Sequence, residues 1–169
     1  MRSMLNKTSV AVAIAVACAA TFSAVGLAST SHSSGNARHG EKVIHLSTAT
    51  AQEGYLDAAP AGEINVGDSL VFSEDLYKGA KKVGDAGGRC TTVRVDGDAA
   101  VAECYETFRL PDGQIVAEGL VTFDPNGGGP VVTWAITGGT GAYRLARGEV
   151  SSVESADGSS STMDFRITR

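Results

Sequence analysis

From Val43 onward the chain alternates short runs of β-branched and apolar residues with clusters of Gly, Pro, Asn and Asp. The runs are Val43–Ala51, Ser69–Tyr77, Lys82–Val95, Ala99–Leu110, Gln114–Phe123, Val131–Thr137, Ala146–Ser155 and Ser160–Thr168. Between them lie Asp96-Gly97-Asp98, Pro111-Asp112-Gly113, Asp124-Pro125-Asn126-Gly127 and Asp157-Gly158, each with a residue that tolerates positive φ or presets it. No stretch sustains a 3.6-residue apolar period, so helix is limited to one turn near Gly141 to Arg144. Eight strands joined mostly by tight hairpins predict an all-β fold, an eight-stranded antiparallel up-and-down barrel, because closure removes exposed edges. A two-sheet sandwich is the alternative.

Residue parity within the runs predicts which side chains meet. Ile115, Ala117, Gly119, Val121 and Phe123 share one face of their strand. Val131–Thr137 is apolar on both faces, with Val131 and Ala135 opposite Val132, Trp134 and Ile136. A strand apolar on both faces is covered on both, which predicts a homo-oligomer. Leu70, Phe72, Glu74 and Leu76 form one stripe, so Glu74 is an acid on an apolar face and the leading candidate for a buried acid or base. A rim position is its bland alternative. Glu103, Tyr105 and Arg109 share a face opposite Cys104 and Phe108, which makes Glu103 a second acid candidate and Tyr105 a ligand contact. Arg147 and Glu149 share a face, either as a pair in the interior or as a solvated outer pair. Tyr143 follows a glycine-rich corner, as a ligand contact or a core plug.

The N-terminus changes the picture of compartment. Arg2 and Lys7 precede an uncharged, apolar or small run, Val10 to Val25, which exits through Val25-Gly26-Leu27-Ala28. This pattern predicts a signal peptide over residues 1–28 and secretion; a membrane anchor and a lipoprotein cut before Cys18 are the alternatives. A flexible spacer follows over 29–42, and the barrel domain occupies 43–169. The first 28 residues hold two of the 14 basic residues and none of the 19 acidic ones, so the remainder is more acidic than the formal −5 of the whole chain. An acidic product without a Lys/Arg cluster predicts no nucleic-acid partner, and no membrane insertion is expected once the signal is removed. Cys90 and Cys104 lie symmetrically about Gly97; with that glycine at a hairpin tip they face each other, in position for a disulfide. Export to an oxidising space favours the bond, and two free thiols are the alternative.

Motif chemistry excludes more than it assigns. His32 and His39 fall in the spacer, and His45 has no carboxylate cluster at ligand spacing, so no metal site is expected. Nothing selects a nucleophile for His45 as a base. The three glycines Gly138, Gly139 and Gly141 lack the Gly-Lys-Ser/Thr ending of a phosphate loop and the βαβ setting of a dinucleotide site, and no cofactor is implied.

The stretch Ile136-Thr137-Gly138-Gly139-Thr140-Gly141-Ala142-Tyr143-Arg144-Leu145-Ala146-Arg147-Gly148 resembles the corner shared by allene oxide cyclases and dirigent proteins. Val66-Gly67-Asp68-Ser69-Leu70-Val71-Phe72, Leu76-Tyr77, Lys81-Lys82-Val83-Gly84, Gly88-Arg89-Cys90 and Asp112-Gly113-Gln114-Ile115 extend the likeness over about Asn65 to Val150. The resemblance implies a barrel that binds an apolar small molecule and promotes its cyclisation or isomerisation, assembled as a trimer. It aligns Glu74 with the family's second-strand Asn and Cys90 with its pocket cysteine, whereas the family's first-strand Ser-Pro pair has no counterpart here. A non-catalytic binding or structural barrel is the other reading.

Overall fold

The computed structural model describes residues 40–123, 131–156 and 158–168. The expected signal peptide, Cys18, His32, His39, the turn that begins at Asp124 and the residue Asp157 lie outside the described residues. Eight strands follow in chain order: β1 (Lys42–Leu56), β2 (Ser69–Lys78), β3 (Lys81–Asp96), β4 (Ala99–Leu110), β5 (Gly113–Phe123), β6 (Val131–Gly139), β7 (Arg147–Glu154) and β8 (Ser160–Thr168). Each pairs antiparallel with the next, and β1 closes on β8 over Lys42–Ala49 against Ser160–Ile167, so the sheet is a closed barrel. The sandwich is thereby excluded. β1 runs five residues beyond the predicted Ala51, because a bulge between Thr50 and Gln52 lets it follow β2 up to Leu56.

Closure gives every strand one inward set of side chains. The inward set of β4 is even-numbered: Ala100, Ala102, Cys104, Glu106, Phe108 and Leu110 are all buried. On β5 it is Ile115, Ala117 and Val121, as parity predicts. One half of the interior is solid. Leu76, Phe108, Ile115 and Phe165 are wholly buried there, and the rings of Phe108 and Phe165 meet edge to face with centroids 4.8 Å apart.

The glycine corner seals that half. A single 3-10 turn, Gly141–Tyr143, folds back on the β4–β5 turn: Ala142 N–H donates to Asp112 O at 2.8 Å and Thr140 N–H to Gln114 O at 2.9 Å. Gly141 has φ +58°, and a Cβ there would sit 2.4 Å from Asp112 O. Only glycine makes that approach. Tyr143 is buried beneath the corner as a plug, with Lys42 Nζ 5.3 Å from its ring centroid. The loop after β1 is organised by the buried carboxylate of Asp68, which accepts from Tyr55 Oη (2.7 Å), Ala58 N–H (2.7 Å) and Asn65 N–H (2.8 Å). Burial works against the Asp68 charge, but these hydrogen bonds outweigh it and hold its pKa below the usual range.

The β3–β4 hairpin carries the disulfide Cys90–Cys104, with Cα atoms 4.0 Å apart. The turn is Gly97-Asp98, half a residue off the expected centre; a bulge between Thr92 and Arg94 absorbs the difference and restores Cys90 opposite Cys104. Both sulfurs face inward, since both cysteines are buried in the inward stripes. The outer face of β6 is open in the single chain, with Val131 70% exposed.

Two stability outcomes follow from these contacts. Gly141→Ala should cost at least about 1–2 kcal/mol from the left-handed backbone alone, read as a lower denaturation midpoint. Replacing both cysteines with alanine should cost about 3 kcal/mol for a loop of this length, and reductant should have the same effect on the wild type and none on the variant.

Candidate functional site

The other half of the barrel is hollow. A cavity of about 150 Å³ opens at the end where β1 runs into β2 and β3 into β4. Its apolar walls are Leu70 and Phe72 from β2, Val121 and Phe123 from β5, Val132 and Trp134 from β6, Met163 from β8, and the disulfide. Its polar lining is acidic or hydroxylic: Glu53, Glu74, Glu106 and Glu154, with Thr50, Ser152, Ser160 and Ser161. No Lys, Arg or His stands among the described lining residues.

Glycine stands at two places on the wall where aromatic rings of the lining take the room a side chain would need. Gly88 lies between Phe72 on β2 and Glu106 on β4 in the strand register. A Cβ on Gly88 would fall 2.8 Å from Phe72 Cζ and 3.2 Å from Glu106 Cβ. The missing side chain lets the Phe72 ring lie flat on the sheet beside Glu106. Trp134 likewise lies over Gly119.

Glu74 and Glu106 form the chemical centre. Glu106 is 0% exposed, and as a carboxylate neither of its oxygens has a donor; Glu74 Oε2 is also buried and without one. With one proton between them the two side chains hydrogen-bond to each other. Burial, reinforced by the Glu74 charge and by their hydrogen bond, pushes the Glu106 pKa well above its ordinary value. Burial also raises Glu74, against the lowering effect of hydrogen bonds from Thr48 and Glu106, with the nearby Glu154 charge adding to the rise. Glu154, at the mouth, is raised by burial alone. Like charges this close resist ionising together in a poorly solvated site, which favours a proton shared between the pair.

A hydroxyl relay orients Glu74. The buried Thr48 Oγ1 accepts from Ser161 N–H (3.1 Å) and lies 2.9 Å from Ser161 Oγ. With its own proton donated to Glu74, Thr48 takes a second bond from the Ser161 hydroxyl. Glu74 is therefore held from behind by Glu106 and Thr48.

The structure sorts the residues singled out by sequence. Glu74, Phe72 and both cysteines line the cavity. Glu103 and Tyr105 do not: they sit on the outer surface of β4, because the parity set by buried Cys104 and Phe108 turns odd residues outward. There the Arg89 guanidinium packs 5.4 Å from the Tyr105 ring centroid, over a shallow depression of about 110 Å³. Arg147 and Glu149 are both exposed outside the barrel, and Arg147 donates to Ala146 O at 2.7 Å. Tyr143 belongs to the sealed end. His45 is on the outer surface, with Nδ1 2.5 Å from Asp164 Oδ1. The inner acid of β4 is Glu106, which the sequence reading passed over. Its signal was available, since it interrupts the apolar even-numbered stripe of β4 as Glu74 interrupts that of β2.

Residues 45–163 match the allene oxide cyclase barrel-like domain. The chain belongs to that family. Among solved structures it is similar to a pyocyanin demethylase, at 30% identity and TM-score 0.67, covering 75% of this chain and 100% of that one. It shares the fold of an exo-specific intermolecular Diels–Alderase (18% identity, TM-score 0.59, 75% and 97% covered) and of a pterocarpan synthase dirigent protein (19%, 0.55, 75% and 92%). No curated protein matches the sequence significantly.

The acid pair makes a pH-dependent contribution to stability. A raised folded-state pKa means that the folded chain binds the proton more tightly than the unfolded chain, whose glutamates titrate near 4.5. The contribution is complete below that value and is lost as pH rises through the folded pKa. Glu106→Gln keeps the shape and supplies an N–H for Glu74, so it should melt higher than wild type near pH 8, with the gap narrowing towards pH 4.5. A gap independent of pH would remove the buried pair.

Proposed function

We propose that this barrel binds a compact, largely apolar small molecule in its open half and moves a proton on it with the Glu74–Glu106 pair, promoting isomerisation or ring closure. The observation that carries the reading is the pair of carboxyl groups, Glu74 and the wholly buried Glu106, lining one largely apolar cavity. Such a site places a neutral acid and its conjugate base within reach of one ligand near neutral pH. Glu74 is the group that touches the ligand, and Glu106 positions the shared proton. Phe72, Trp134 and Met163 hold the ligand and exclude water, which strengthens the electrostatics of the pair. Family membership and the reactions named for similar barrels support a small-molecule substrate.

A cavity of about 150 Å³ encloses one ring rather than a lipid chain. The same modest volume, beside a solid lower half, favours a second reading, a binding barrel without turnover. We also propose export through residues 1–28, supported by the disulfide, and self-association as a trimer through the outer face of β6 with its exposed Val131. Light scattering on the purified chain reads the latter directly.

The catalytic reading is tested by incubating the chain in D2O with a panel of compact enolisable cyclic ketones and following deuterium uptake by mass spectrometry. Uptake into at least one binder is expected. It should fall at least about 100-fold in Glu74→Gln while binding persists, and its pH profile should shift in Glu106→Gln. Ligands that bind without any exchange would leave the non-catalytic barrel as the answer.

A further inference from the structure

The chemistry of the cavity lining is lopsided. Four glutamates, Glu53, Glu74, Glu106 and Glu154, reach it from β1, β2, β4 and β7, and the described lining has no basic side chain to balance them. A metal ion does not account for the imbalance: among the described residues no three His, Cys, Asp or Glu converge closely enough to hold one. The acids come from four separate strands; Glu74 and Glu106 meet as a pair, while Glu53 and Glu154 stand apart at the mouth. That arrangement suits a charge spread over a flat body better than a point charge.

A second, independent group is unpaired in the same cavity. Trp134 is 8% exposed, and its indole N–H has no acceptor. A buried donor without a partner costs about 1–3 kcal/mol, so the site is complete only when something supplies an acceptor or displaces the strain. In a ring of eight strands β6 stands diametrically opposite β2, which sets the Trp134 indole across the cavity from Glu74 and Phe72. Aromatic faces therefore approach from both sides, with acid concentrated towards β2 and β4 and a lone donor on β6. Aromatic faces and carboxylates both favour cationic ligands.

We infer that the cavity selects flat organic cations, such as N-alkylated or protonated nitrogen heteroaromatics. Their positive edge would lie on the Glu74–Glu106 side and an acceptor edge or π face against the Trp134 indole. Glu154 and Glu53, at the mouth, attract the cation before it enters. This selectivity rests on the proposed small-molecule site and names the class of ligand that it takes. An anionic ligand of the same shape is rejected by the negative charge that the lining retains, with no basic side chain to offset it.

The chain's one tryptophan is Trp134, so its fluorescence reports the cavity alone. The test titrates the full chain with three one-ring probes of nearly equal shape: N-methylpyridinium, toluene and benzoate. Calorimetry gives the affinity, and Trp134 emission gives the location. The cation should bind at least tenfold more tightly than the hydrocarbon, and benzoate should not bind. Glu74→Gln and, independently, the mouth variant Glu154→Gln should each narrow the ratio of cation to hydrocarbon affinity. Circular dichroism checks that both variants fold. A hydrocarbon that binds as tightly as the cation, or a cation affinity unmoved in both folded variants, would overturn cation selection and leave the proton-transfer reading standing. Failure of all three probes to bind would sink both.

Discussion

Closing eight strands into a ring creates a single interior, and every strand must deliver alternate side chains to it. That constraint organises everything else in the molecule. One interior cannot be both solid and hollow along its whole length, so the barrel divides the task along its axis. At one end Leu76, Phe108, Ile115 and Phe165 fill the space, and the corner at Gly141 seals it over Tyr143. At the other, glycines at 88 and 119 leave room on the wall for the rings of Phe72 and Trp134, and two carboxyl groups line the space that stays open. Packing at the first end offsets the cost of burying acids at the second.

The architecture was legible because period-2 patterning and turn chemistry are local signals. The eight runs, the Gly97 hairpin and the opposed cysteines all depend on residues near one another in sequence. The glycine corner was legible for a different reason: at Gly139 and Gly141 a Cβ would lie 2.3 and 2.4 Å from a backbone oxygen, which demands glycine whatever surrounds them. β1 was under-extended because its last residues, Gln52–Leu56, pair through a bulge that breaks alternation at the point where a reader uses it.

The site was half legible. Glu74 stood out as an acid in an apolar stripe, and the same argument on β4 picks Glu106, because Cys104 and Phe108 declare which parity faces inward. Choosing Glu103 amounted to choosing the polar face of that strand over the apolar one. What no local pattern could supply is the meeting of Glu74, Glu106, Thr48 and Ser161. They come from β2, β4, β1 and β8, and only the barrel's curvature brings them together. The indole of Trp134 is similar: its burial follows from parity, but its unpaired N–H depends on what every neighbouring strand lacks.

The division between a sealed end and a hollow end also bears on how such a chain can diversify. Substitutions at the mouth, among Glu53, Phe123, Ser152 and Glu154, alter a surface that the fold does not need to be full. Those at the sealed end strike residues whose volume and backbone geometry are already committed. Mutational tolerance should therefore be graded along the barrel axis, permissive where ligands are met and strict where the chain turns back at Gly141. A scaffold built this way can change its chemistry many times without having to reinvent its core.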